Sequence, residues 1–205
     1  MYDLSYISAM RQHLKPHFSR EEQISSALKE LQQMEPYTAG HSYRVGMIAG
    51  RIATALSFPS ELVKKIMFGG MLHDIGKSGV SIQALCKPSK LSEAEFKDIQ
   101  KHPELGAQLV QVSPKLIELI PAILYHHERF DGLGYPFGLK GEEIPLEARV
   151  IAVADTYDAI TSNRSYREAL SHEVAISELE KHKGDQFDST IVHGALKARL
   201  NEITP

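Results

Sequence analysis

Residues 59–77 read PSELVKKIMFGGMLHDIGK. Leu62, Ile66, Gly70 and His73 recur at steps of four and three, the period of a single helix face. Pro59 is placed to open that helix and Gly76 to stop it. The stretch predicts an amphipathic helix with a histidine and an aspartate at its C-terminal end. The same period continues on both sides. Upstream, Ile24, Leu28 and Leu31 form a stripe within 21–34, and Val45, Ile48 and Ile52 share a face that begins at His41. Downstream, Pro103 suits the first position of a helix and leaves His102 at its edge. A helix from about Pro114 is kinked or divided at Pro121 and ends at His126 and His127. Pro145 opens an apolar helix that runs through Ile160, and two more helices are expected near 172–183 and 188–201. Residues 78–91, and FDGLGYPFGLKG at 130–141, read as loops because of their Gly and Pro. Val80–Ile82 leaves room for one short extended pair. No long alternating segment suggests a sheet, so the fold class is all-α.

The chain has 205 residues, enough for about one domain with a sizeable core. Its charge of -3, from 23 basic and 26 acidic residues, argues against a basic face that coats DNA or RNA duplexes. A small phosphate ligand remains compatible, provided positive charge is placed locally by metals or by a few Arg and Lys. Nothing approaches the roughly 20 apolar residues of a membrane span. The first residues, MYDLSYISAMRQHL, lack the charged start and apolar run of a signal peptide. Cys86 is the single cysteine, so no intramolecular disulfide forms, and its expected place is that of a small hydrophobe or a loop thiol. A cytoplasmic protein is expected.

Five of the ten histidines form an ordered series with two aspartates: His41, His73-Asp74, His102, His126-His127 and Asp155. One histidine on an apolar helix face is usually a packed or surface residue. Several at helix edges, two of them adjacent, are hard to explain that way. Imidazole mixed with carboxylate suits Fe, Mn or Zn rather than an all-oxygen calcium site. More than four ligands suggests two ions, with Asp74 the natural bridge. His13, His17, His172, His182 and His193 lie outside the series and are expected to be ordinary.

These residues carry a resemblance. HDIGK at 73–77, HHERFDGLGYP at 126–136, HSYRV at 41–45 and DTYDAITSNRSYR at 155–167 resemble the motifs of the HD-GYP domain, a branch of the HD phosphohydrolase superfamily. The likeness covers roughly residues 35–200. A bare HD pair is a weak signal, but four motifs in the right order are a strong one. The resemblance implies a single HD-type helical domain over 35–205 with a metal centre in its core, preceded by lead-in helices over 1–34 that pack on the domain or mediate a homodimer.

Carried onto this sequence, the family's first metal takes His41, His73, Asp74 and Asp155. The second shares Asp74 and adds His102, His126 and His127. Iron or manganese is the expected metal. Lys77 is placed to neutralise a scissile phosphate, with an exposed helix-end lysine as the plain alternative. Asp158 shares a face with Asp155 and either serves the nucleophilic water or supports a ligand. Arg164 and Arg167 fit phosphate and base contacts. Tyr135 borders the substrate pocket or meets a partner protein.

Two departures stand out. Tyr37 occupies the position where some members carry a Glu for a third metal, so two metals are expected. RSYR at 164–167 replaces the usual RPYR but keeps both arginines.

The implied activity is hydrolysis of cyclic di-GMP to linear pGpG, and onward to GMP in some members. Two rivals stand beside it. One is hydrolysis of another cyclic dinucleotide, such as 3',3'-cyclic GMP-AMP. The other is a cyclic di-GMP receptor of little or no turnover, whose GYP loop contacts a signalling protein.

Overall fold

A computed structural model describes residues 14–15, 17–34, 36–85, 87, 89–163 and 168–202. Ten α-helices are described: α1 (Arg20–Met34), α2 (Pro36–Ala55), α3 (Ser60–Leu72), α4 (Ile82–Leu85), α5 (Glu93–Ile99), α6 (His102–Val110), α7 (Ile120–Tyr125), α8 (Leu146–Thr161), α9 (His172–Lys181) and α10 (Ser189–Lys197). Short 3-10 turns lie at Ile75–Gly79, Ile117–Leu119, Gly141–Glu143 and Leu200–Glu202. No strand occurs among the described residues, only an isolated bridge between Lys183 and Phe187. The extended pair allowed near Val80–Ile82 is therefore absent. The stretch read as loop at 78–91 contains the one-turn α4. The helix expected from Pro114 is divided, with a 3-10 turn before α7 and Pro121 in the first turn of α7, where its missing N–H costs nothing.

Two apolar cores hold the helices. In one, Val45, Ile48 and Ile52 of α2 meet Ile66 of α3, Val150, Ile151 and Val153 of α8, and Ile191 and Val192 of α10. In the other, Ile24 and Ala27 of α1 meet Leu72, Ile75, Leu109, Leu116 and Ile123. Gln23 ties α1 to the turn before α7, accepting 2.6 Å from the Ser113 hydroxyl in a buried contact. α8 is apolar on nearly every side because α2, α3, α7, α9 and α10 all pack on it.

Glycines set the closest helix approach. A Cβ on Gly70 of α3 would lie 2.9 Å from the Gly46 Cα of α2. A Cβ on Gly46 would lie 2.7 Å from the Met67 carbonyl oxygen. The two backbones touch there, and the touching pair brings His41 and His73 into one site.

Candidate metal centre

The series comes from five separate places in the chain and arrives at one site, with His41, His73, Asp74, His102 and His126 buried and His127 and Asp155 partly exposed. His41 lies inside α2, His73 caps the C-terminus of α3, Asp74 opens the 3-10 turn, and His102 begins α6. His126 caps α7, His127 follows it, and Asp155 comes from the middle of α8. Gly76 packs against the backbone of His102 and Gly106 with no room for a side chain, which brings Asp74 up to α6.

The donor atoms fall into two groups. Asp74, His102, His126 and His127 form one, and His41, His73 and Asp155 the other, with the atoms of each within 4.8 Å of one another. Asp74 lies between them. Its Oδ2 is 3.3 Å from His73 Nε2 and 3.7 Å from His41 Nε2, while its Oδ1 is 3.3 Å from His102 Nε2. His41 Nε2 is also 3.1 Å from Asp155. His102 Nε2 and His126 Nε2 are 3.2 Å apart. Two buried atoms that point inward, His73 Nε2 and Asp74 Oδ1, have no hydrogen-bond partner. Orphaned buried acceptors are costly unless something binds them. Divalent metal suits this arrangement and its mixture of imidazole and carboxylate.

The electrostatics match. Burial alone would raise the Asp74 and Asp155 carboxyls, but neighbouring histidines outweigh it and hold both well below the usual range, and Lys77 adds to this at Asp74. Burial pushes His102 down to about 3 and His127 to about 4, and His126 also falls well below its ordinary value. All three are therefore neutral with a lone pair free, the form that binds metal. His41 is the exception. Burial works against its charge, yet hydrogen bonds to Asp155 and Asp158 raise it to about 9.

Lys77 donates 2.6 Å to Asp74 Oδ2. Tyr135 stacks on His127 with ring centroids 4.7 Å apart at 22°. Burial keeps the Tyr135 phenol neutral, so it can still donate a hydrogen bond. The two oxygens of Asp158 are taken up by His41, Arg44 and Ser162. Arg164 and Arg167 lie outside the described residues, as do Ser165 and Cys86 and the side chain of Tyr37. Among the histidines outside the series, His172 accepts or donates 2.8 Å to the Tyr157 hydroxyl and His182 lies beside Glu178 and Asp185.

Two residues were not singled out from sequence. Glu128 is buried beneath the GYP loop and accepts from the Phe137 N–H at 2.7 Å and the Leu139 N–H at 3.0 Å. Its place directly after the paired histidines was a signal that could have found it. Arg44 holds Asp158, and its position inside HSYRV was the only hint.

A model of the HD domain family matches residues 12–191. The chain belongs to the HD-domain family. Its HDIGK and HHERFDGLGYP motifs put this HD domain in the HD-GYP branch. It is 38% identical over 180 residues to the cyclic di-GMP phosphodiesterase response regulator RpfG of Xanthomonas campestris pv. campestris, covering 87% of this chain and 48% of that protein. It is 39% identical over 184 residues to a cyclic di-GMP phosphodiesterase of Thermotoga maritima, covering 89% of this chain and 49% of that protein. A solved cyclic GMP-AMP specific phosphodiesterase of Vibrio cholerae superposes with a TM-score of 0.57 at 31% identity, over 90% of this chain and 41% of that one. The chain spans about half the length of the curated relatives it matches. No described helix of this HD domain is long and apolar enough to cross a membrane.

Proposed function

We propose that this HD domain is a metal-dependent phosphodiesterase that hydrolyses cyclic di-GMP to linear pGpG. The observation that carries this reading is Asp74, whose two oxygens face two separate groups of largely buried ligands. In this reading His41, His73, Asp74 and Asp155 hold one divalent ion, and Asp74, His102, His126 and His127 hold the other. With no thiolate in the set, iron or manganese suits it. When bound, such ions supply Lewis acidity toward the phosphoryl oxygens and water that ionises near neutral pH.

The chain's own residues do the rest. Lys77, partly exposed beside Asp74, can turn its ammonium to a non-bridging phosphoryl oxygen and stabilise charge as it develops. Neutral Tyr135, fixed by stacking on His127, donates from the loop side of the pocket. Arg164 and Arg167 hold the remainder of the dinucleotide and convert binding energy into positioning. Asp158 supports His41, since neither of its oxygens is left for water.

A second reading changes only the substrate. The Vibrio cholerae relative specific for cyclic GMP-AMP shares the fold at 31% identity, so a hybrid cyclic dinucleotide is the alternative. Leu133 and Phe137 stand exposed on the GYP loop, which supports a role for that loop in meeting a signalling protein. Whether the protein acts as a homodimer in the cytoplasm belongs to the same proposal.

The test is anaerobic purification, metal analysis, and hydrolysis of cyclic di-GMP and 3',3'-cyclic GMP-AMP with added Fe(II) or Mn(II), beside Asp74→Ala. About two metals per chain with pGpG or GMP formed, both lost in the variant, is the expected result. Preferential cleavage of the hybrid supports the second reading. Metal without turnover of either dinucleotide leaves a receptor, and absence of metal in every preparation overturns the site.

A further inference from the structure

His41, His73, His102 and His126 turn Nε2 toward Asp74 or one another, so each needs an acceptor for Nδ1–H. Three use the same device. His73 Nδ1 lies 2.7 Å from the Gly70 carbonyl, His102 Nδ1 2.8 Å from that of Ile99, and His126 Nδ1 2.7 Å from that of Ile123. Gly70, Ile99 and Ile123 lie in the last turns of α3, α5 and α7, where carbonyls have no partner within the helix. A histidine just past a helix end therefore finds a free acceptor three residues back.

His41 cannot do this. It sits inside α2, with helix before and after it, where carbonyls already accept from the following turn. Its Nδ1 instead donates 2.7 Å to Asp158 Oδ2, across 117 residues of sequence. A lone buried carboxylate could rotate or take a proton. Arg44, one turn along α2 from His41, prevents both. Its Nε donates 2.6 Å to Asp158 Oδ1 and its second guanidinium nitrogen 3.1 Å to Oδ2. The planar fork fixes the carboxylate plane, which a point charge cannot do.

We infer that Arg44 is a positioning residue of the metal centre, acting through Asp158 to fix the orientation and tautomer of His41 for the ion shared with His73 and Asp155. The inference rests on the two-metal reading above and concerns one ion of the two. Partners of this kind to a ligating histidine change metal affinity about 10–100-fold when removed. The loss should be confined to the His41 group, because His102, His126 and His127 make no use of Asp158.

The experiment is anaerobic Co(II) titration of the whole chain, followed by visible absorption, for wild type, Arg44→Met, Arg44→Lys, Asp158→Asn and Arg44→Met/Asp158→Asn. Arg44→Met should weaken one of two binding events about 10–100-fold and leave the other unchanged. Arg44→Lys, which keeps a cation beside Asp158, should recover part of that loss. The double variant should lose little more than the worse single one, the non-additivity of residues acting in series. If Arg44→Met does not fold, Arg44→Gln, which retains one hydrogen bond, takes its place in the same comparison. Two unweakened events in the variant, equal weakening of both, or additive losses would each overturn the inference and leave the two-metal reading standing. A wild type that binds no Co(II) overturns the two-metal reading itself, and this inference with it.

Discussion

Replacing Gly70 with alanine tests whether glycine contact between α2 and α3 sets the metal centre. The new methyl carbon would lie 2.9 Å from the Gly46 Cα, 3.1 Å from the Gly46 nitrogen and 3.4 Å from the Val45 carbonyl carbon. All three are backbone atoms, so no side chain can swing aside. Carbon atoms pack at about 3.5–4.0 Å, so the helices must part by roughly 0.6–1.1 Å. Overpacking of this kind costs about 1–3 kcal/mol. Alanine returns about 1 kcal/mol of helix propensity. The net loss is about 0–2 kcal/mol, or up to roughly 8 °C in Tm for a chain of this size.

The effect on the site should be larger than the effect on stability. His41 and His73 lie on the two helices that part, with ring centroids 5.3 Å apart. Metal ligation tolerates only about 0.2 Å of error. Gly70→Ala should therefore lose affinity for one ion by at least about tenfold, read by equilibrium dialysis against Mn(II) together with thermal melting. Gly50→Ala is the control. The atoms nearest its methyl are those of the Met67 side chain, at 3.4 Å and beyond and so in ordinary van der Waals contact, and it should be neutral or stabilising by up to about 1 kcal/mol. A Gly70→Ala protein that melts at or above wild type and keeps full metal affinity refutes the reasoning.

Three further outcomes are expected. The metal-free protein should lose stability on acidification from pH 7 to 5. His102, His126 and His127 stay neutral when folded, with His102 at about 3 and His127 at about 4, but take up protons near 6.5 when unfolded. His41 opposes them, since its folded value of about 9 gives a contribution that is full below pH 6.5 and fades as pH rises through 9. Three groups against one leave a net loss of a few kcal/mol, and a urea midpoint that stays flat or rises on acidification contradicts this account. Glu128→Ala removes the acceptor of two loop N–H groups and should cost about 2–4 kcal/mol, with faster hydrogen exchange at Phe137 and Leu139. Unchanged exchange there rules out the anchoring role. Lys77→Met should lower turnover of the metal-loaded protein about 10²–10³-fold while metal content stays the same. Loss of metal in that variant would assign Lys77 to the site's structure instead.

Much of this protein was legible before any tertiary contact was known, because its signals are local. The four-and-three spacing that leads to His73 specifies a helix, Pro59 and Gly76 bound it, and the residue types in the series state the metal chemistry they can support. The GYP loop was legible from its Gly and Pro. The one-turn α4 was not, because a single turn at 82–85 spans too few residues to show a period. The division of the ligands into two groups that share Asp74 was implied by the family resemblance, but the approach of those groups in space came only from the tertiary structure. It depends on Gly46 meeting Gly70 and on Gly76 meeting the His102 backbone, and such contacts leave no periodic trace. Arg44 and Asp158 show the same limit. They are 114 residues apart, Asp158 stood out only by its spacing from Asp155 while Arg44 looks like an ordinary charged helix residue, and packing of α8 on α2 is what makes them partners.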